Sequence, residues 1–199
     1  MFYNVAKATM KIISSLIYNV KVYNREYEPL EGPVILCSNH ISMMDPILIG
    51  VWLKRQIKFM AKEELFSMPI LGFLVKKVGA FPISRNTGDL NAIKIALKTL
   101  KDGNVLGLFP EGGRRHNQEE SKAKTGVANF SYKTKATVFP VHIICKNSKL
   151  KFFSKVEIVY GNPMKFEDLG FTDGSSEEMK RISGEILTKI FSLNATYEN

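Results

Sequence analysis

The sequence predicts an α/β fold, a mostly parallel or mixed central sheet flanked by helices. Short apolar runs stand at 34–38, 57–61, 105–109, 137–145 and 156–160, the first preceded by a Pro/Gly break and the third followed by Pro-Glu-Gly-Gly, as expected of strands buried in a sheet. Segments with apolar residues at helical spacing lie between several of them, and this alternation is the pattern of a layered α/β architecture.

Residues 2–20 read as an amphipathic helix. Phe2, Val5, Ile12, Ile13, Leu16, Ile17 and Val20 recur at near-helical spacing, with Asn4, Lys7, Lys11, Ser14 and Ser15 mostly between them. Pro29, Gly32 and Pro33 mark a break before the strand at 34–38. Residues 39–44 follow as a loop. Asp45 and Pro46 then start a helix running to about Lys54, with Asp45 as its N-cap. A helix is expected from Pro69 to Val78, stopped at Gly79, and a short extended piece at 80–83 leads to Arg85. Asp89 caps the next helix, whose face of Leu90, Ile93, Leu97 and Leu100 opposes Lys94, Lys98 and Lys101, and Gly103 ends it. Ser175 to Glu178 resembles a capping box opening a last helix, with Met179, Ile182, Ile186, Ile190 and Leu193 toward the core.

A chain of 199 residues suits one domain with a sizeable core, and 45% hydrophobic with 24% charged residues excludes a disordered chain. We expect residues 1–28 to form an amphipathic N-terminal docking segment and residues 29–199 the main domain. Lys and Arg number 28 against 19 Asp and Glu, and the net charge of +9 implies an anionic partner: nucleic acid, anionic lipid or a phosphorylated metabolite. Cys37 and Cys145 sit in apolar runs and read as buried, reduced thiols of a cytoplasmic protein. The apolar stretches are shorter than the ~18–20 residues of a spanning helix, and residues 1–20 lack the pattern of a signal peptide.

In open α/β sheets the ligand site lies beyond the carboxyl ends of the strands, which directs attention to His40, Glu111 and Arg114. His40 and Asp45 suit a base and its orienting carboxylate if residues 41–44 curl to bring them together. Taken alone, the pair equally fits a strand end and a helix cap. Phe109 to Arg115 exposes a carboxylate and two guanidiniums beside Gly112 and Gly113. Glycine permits close ligand approach and arginine forks suit phosphate, while a solvated turn is the plainer reading. Arg85, Lys62 and Lys124 are further phosphate candidates, each also readable as a surface cation. His116 and His142 make no metal-ligand spacing, and His142 reads as a core histidine. There is no serine elbow and no phosphate loop ending in Lys-Ser or Lys-Thr.

Taken in order, these segments resemble the glycerolipid acyltransferase family, the bacterial 1-acylglycerol-3-phosphate (lysophosphatidic acid) acyltransferases in particular. Asn39-His40 through Asp45 matches its N-H-x4-D block, Gly79 to Arg85 its G-x-x-F-x-x-R block, and Phe109 to Arg114 its F-P-E-G-x-R block. Val138 to Val141 looks like the last block, a proline in an apolar strand. The resemblance implies His40 as catalytic general base and Asp45 as its partner. It implies a substrate site of Arg85, Glu111, Gly112, Arg114 and Lys62, with Pro140 helping to shape it. It also implies direct attack of a lysophospholipid hydroxyl on an acyl-carrier-protein or coenzyme A thioester. No metal, no cofactor and no covalent intermediate are expected. The enzyme would be peripheral or monotopic on the cytoplasmic face of an anionic membrane. There the 2–20 helix would dock with Lys7 and Lys11 toward the headgroups, or alternatively its stripe would pack on the core.

Gly113 and Arg115 depart from the family's usual Thr and Ser, which keeps open another lysophospholipid or an acyl-amine acceptor. A basic nucleic-acid-binding domain is the alternative from another class. Scattered lysines, and aromatics confined to apolar runs, speak against it.

Overall fold

The run Val34–Ser38 (β2) is buried along its whole length and forms a central strand. Val34 and Leu36 point into one core cluster and Ile35 and Cys37 into the other, so the run needs no polar alternation. Each such side chain contributes roughly 1.5–3 kcal/mol by leaving water.

The computed structural model describes residues 2–84, 89–115 and 121–194. Its other strands are Asn19–Tyr23 (β1), Ile57–Lys62 (β3), Phe81–Ile83 (β4), Val105–Leu108 (β5), Thr137–Cys145 (β6) and Lys155–Tyr160 (β7). They join β2 in one seven-stranded sheet of order β1-β7-β6-β2-β5-β3-β4. Strands β6, β2, β5, β3 and β4 run parallel, and β7 is antiparallel to β6, which makes the sheet mixed. Strand β1 pairs with β7 in parallel at the edge.

The helices are Phe2–Ile17 (α1), Asp45–Trp52 (α2), Glu64–Ser67 (α3), Pro69–Lys77 (α4), Leu90–Lys101 (α5), Gly126–Thr134 (α6) and Ser176–Ser192 (α7). Buried residues of α5, α6 and α7 cover one face of the sheet, and those of α2 cover the other. Asp89 caps α5 by accepting the Asn91 and Ala92 amides, and Gly79 and Gly103 take the left-handed backbone expected at helix ends. Ser175 caps α7 as expected. Glu178 does not reach back to close the box, because its carboxylate accepts the Thr172 and Gly174 amides instead.

The structure redraws two boundaries. The N-terminal helix stops at Ile17, and Val20 belongs to β1 rather than to the helical stripe. Helix α2 ends at Trp52, with Met44 at its N-cap position, because the Asp45 carboxylate is used elsewhere.

Helix α1 lies on the protein by the side that carries its polar groups. Lys7 Nζ donates to the Leu53 and Lys54 carbonyls at the end of α2, and Lys11 Nζ sits 4.3 Å from the Trp52 ring centre. Ser14 is the buried residue of the helix. The apolar stripe faces outward instead: Val5, Ile12 and Leu16 are 58%, 63% and 72% exposed. The two lysines expected to meet headgroups therefore hold the helix to the protein.

Candidate active site

The parallel strands deliver their carboxyl ends to one edge of the sheet. There β2 runs into His40, the neighbouring β5 runs into Phe109 to Arg115, and β3 ends at the exposed Lys62. Asn39 fixes the end of β2. Its side-chain amide donates to the Ile143 carbonyl at 2.9 Å and accepts the Ile143 amide at 2.8 Å, tying the loop to β6 as a strand residue would.

The loop after Asn39 curls so that His40 and Asp45 meet. Asp45 Oδ2 accepts the Ile41 amide at 2.7 Å, the Ser42 amide at 2.8 Å and His40 Nδ1 at 2.8 Å. The Asp45 side chain is fully buried, so this fixed carboxylate sets the orientation of the imidazole. The bond to Asp45 places the proton of neutral His40 on Nδ1 and its lone pair on Nε2. The His40 side chain is 14% exposed, and a substrate can reach its edge.

Residues of the β5 loop hold His40 from the other side. The His40 amide donates to Glu111 Oε2 at 2.6 Å, and the His40 carbonyl accepts the Arg115 amide at 2.8 Å. Glu111 Oε1 accepts the Ser121 hydroxyl at 2.5 Å. Burial pushes the Glu111 carboxyl up, while the Ser121 and His40 hydrogen bonds oppose the shift. A buried carboxylate spent on a backbone amide braces the loop that carries His40. Phe109 stacks on the His40 ring with centroids 4.0 Å apart and planes 17° apart, and Phe59 stacks on Phe109 at 5.6 Å. A Cβ at Gly107 would collide with the Phe59 ring and with Ile57, so glycine there lets Phe59 lean across β5 toward Phe109. The contacts of Asn39, Phe59, Phe109 and Ser121 join segments far apart in the chain, and no local pattern in the sequence signals them.

Gly112 has φ +67°, and a Cβ there would lie 2.5 Å from Lys124 Cε, so the Lys124 side chain lies across the turn. Arg114 is exposed beside it, and among the described residues no hydrogen bond or ion pair engages its guanidinium. Arg85, the remaining arginine of the expected site, lies outside the described residues, as does His116. A Cβ at Gly113 would meet nothing within 4 Å, so the turn accommodates larger residues at that position.

The acyltransferase family's sequence profile matches residues 19–144. A 1-acyl-sn-glycerol-3-phosphate acyltransferase of Bacillus subtilis is 33% identical over 169 residues, covering 83% of this chain and 84% of its own. The chain belongs to the acyltransferase family. A Streptococcus pneumoniae acyltransferase of the same description is 30% identical over 175 residues, covering 85% of this chain and 65% of its own. The fold is shared with the crystal structure of the 1-acyl-sn-glycerophosphate acyltransferase PlsC from Thermotoga maritima. That likeness has a TM-score of 0.75 at 24% identity and spans 97% of this chain and 80% of that one.

Within this acyltransferase the cysteines are poor nucleophiles. Cys37 is fully buried in β2, where its thiol points at the Ile35 carbonyl and burial holds it far above the usual cysteine range. Cys145 is only partly buried, against expectation, yet burial and the nearby Asp45 charge also push its thiol up. His142 is the core histidine the sequence suggested: it is buried, bonded through Nδ1 to the Leu193 carbonyl at 2.7 Å, and lowered in pKa by burial. Incubation with a radiolabelled acyl thioester alone should therefore leave no label on the denatured protein. A stoichiometric, hydroxylamine-sensitive adduct would overturn direct transfer.

Proposed function

We propose that this acyltransferase moves a fatty-acyl group from an acyl-carrier-protein or coenzyme A thioester onto the free hydroxyl of 1-acyl-glycerol-3-phosphate, making phosphatidic acid. The observation that carries this reading is the His40–Asp45 pair at 2.8 Å, at the same edge of the sheet as the unengaged guanidinium of Arg114.

His40 Nε2 takes the proton of the glycerol hydroxyl as its oxygen attacks the thioester carbonyl. The resulting tetrahedral oxyanion collapses, the carbon–sulfur bond breaks, and the imidazolium returns its proton to the departing thiolate. Asp45 steadies the imidazolium between the two transfers. Arg114, with Arg85, Lys62 and the Gly112 turn, holds the acceptor phosphate. Glu111 serves that site indirectly, by fixing the loop that carries His40.

The acceptor is a membrane lipid, so the edge bearing His40 must work at a bilayer. The outward stripe of α1 supports this: a helix that turns lysines inward and Val5, Ile12 and Leu16 outward is built to lie in an interface. Among the described residues no helix is long and apolar enough to cross a membrane. Of the expected 1–28 docking segment we keep α1, Phe2–Ile17, for docking; β1 belongs to the sheet, so we assign the chain from Asn19 onward to acyl transfer and the enzyme to the cytoplasmic face as a peripheral or monotopic protein.

An acceptor panel tests the substrate assignment. Arg114→Ala should lower kcat/KM for lysophosphatidate by roughly 10–100-fold, the value of one charge-assisted hydrogen bond, and should leave a neutral monoacylglycerol almost unaffected. An equal loss on both acceptors would remove the phosphate role. Preference for another lysolipid over lysophosphatidate in the unmutated enzyme would favour the acceptor that the Gly113 departure leaves open.

A further inference from the structure

The connection between β6 and β7 carries the two most exposed aromatic side chains among the described residues, Phe152 at 77% and Phe153 at 81%. They form the centre of a tight turn closed by the Ser154 amide on the Lys151 carbonyl at 3.1 Å, with the Ser154 hydroxyl accepting the Lys151 amide at 3.0 Å. Phe153 has φ +59°, a left-handed backbone that Gly or Asn adopts easily and a bulky aromatic resists. The turn thus holds two phenylalanines in water, one of them in a backbone state that disfavours it. Neither feature serves the fold.

The turn is fixed to the end of α1. The Phe153 amide donates to the Ile17 carbonyl at 2.7 Å, and the Asn19 amide donates to the Ser154 carbonyl at 3.1 Å. Phe153 and Leu16 line one shallow cleft of about 330 Å³, so the outward stripe of α1 runs on into the turn. At the opposite end of α1, Phe2 packs edge-on against the exposed Phe73 of α4, with ring centroids 6.2 Å apart. The charge around the turn has one sign. Residues 146–155 contain Lys146, Lys149, Lys151 and Lys155, all exposed, and no acidic residue. Lys155 is paired with Glu157.

We propose that the Phe152–Phe153 turn is a second bilayer anchor, which inserts its two rings at the end of the α1 stripe while Lys146, Lys149 and Lys151 bind anionic headgroups. Apolar rings inside a collar of cations match the depth profile of an anionic leaflet, where hydrocarbon lies beneath phosphate. With α1 alone the enzyme could roll about the helix axis. A second point of insertion at the carboxyl end of α1, borne by the β6–β7 connection rather than by the helix, opposes that roll and holds the His40 edge at a constant attitude to the membrane. The inference builds on the bilayer-facing reading of α1, and its test separates the two.

Flotation of the full chain should be measured with phosphatidylcholine vesicles, with and without phosphatidylglycerol, for the unmutated protein, F152S/F153S, K149Q/K151Q and I12S/L16S. F152S/F153S should bind the anionic vesicles about tenfold or more weakly. It should keep its thermal midpoint and its activity on monomeric short-chain lysophosphatidate. K149Q/K151Q should lose roughly fivefold per lysine on anionic vesicles only. In F152W, brominated lipids should quench the added tryptophan beyond the quenching of Trp52 in the unmutated chain. If I12S/L16S loses vesicle binding while F152S/F153S floats normally and F152W is not quenched, α1 docks alone and the second anchor is refuted. If the unmutated chain does not float, both readings fall. If F152S/F153S instead abolishes a dimer seen by ultracentrifugation without changing flotation, the turn is a protein interface and the proposal is overturned.

Discussion

His40→Ala should reduce kcat/KM by about 10²–10⁴-fold, the usual worth of a positioned general base, and leave the thermal midpoint within a few degrees of the unmutated protein. The separation of the two effects follows from how the loop is held. The bonds fixing it use the His40 backbone, through Glu111 and Arg115, and the Ile41 and Ser42 amides on Asp45. None of them uses the imidazole. What alanine removes is the base itself, one of the three donors to Asp45 Oδ2, and the ring against Phe109, which is only partly shielded from water; the two backbone donors to Oδ2 remain. Steady-state rates on lysophosphatidate together with a melting curve check this. Near-normal turnover by a folded His40→Ala enzyme would discard the mechanism.

The parts of the fold legible in the sequence are those where one physical constraint acts alone. Strand β2 shows because burial on both faces leaves no polar interruption, and α5 shows through its Asp89 cap and its Gly103 stop, although its buried side is Ala92, Ala96, Thr99 and Leu100, whereas Leu90 and Ile93 of the expected stripe are exposed. Strand β1 was hidden because Val20 continues the apolar spacing of the preceding helix, while its pairing with β7 is decided more than a hundred residues later. Helix α6 is not legible in the sequence because its buried face combines Val127, Ala128, Phe130 and Ser131 without a conspicuous stripe.

The direction of α1 was the harder matter. The stripe says that the helix is amphipathic, but only the α2 carbonyls and Trp52, which receive Lys7 and Lys11, decide which side faces the protein. At the site, His40, Asp45 and the arginine turn were legible as ordered blocks. The support beneath them was not, because it needs a glycine in β5, a phenylalanine in β3 and Ser121 to meet through the fold.

Asp45→Asn should cost nearly as much as loss of the histidine, about 10²–10⁴-fold in kcat, or roughly 3–5 kcal/mol of transition-state stabilisation. The carboxylate supplies geometry and charge together. One oxygen, Oδ2, accepts three donors, while Oδ1 is buried with no hydrogen-bond partner. An asparagine can put its carbonyl oxygen where Oδ2 was and its amide group in the vacant direction. The two backbone bonds and the loop then survive, and the protein stays folded. The negative charge facing the imidazolium is lost. The opposite rotamer would set the amide N–H groups against the Ile41 and Ser42 amides, themselves donors, so it is disfavoured. The base is weakened without being displaced. The double variant His40→Ala/Asp45→Asn should therefore be no slower than His40→Ala alone, because Asp45 acts through the histidine. If the two losses multiplied, Asp45 would have a role independent of His40. If Asp45→Asn retained near-normal kcat, the 2.8 Å bond would be a loop brace and nothing more.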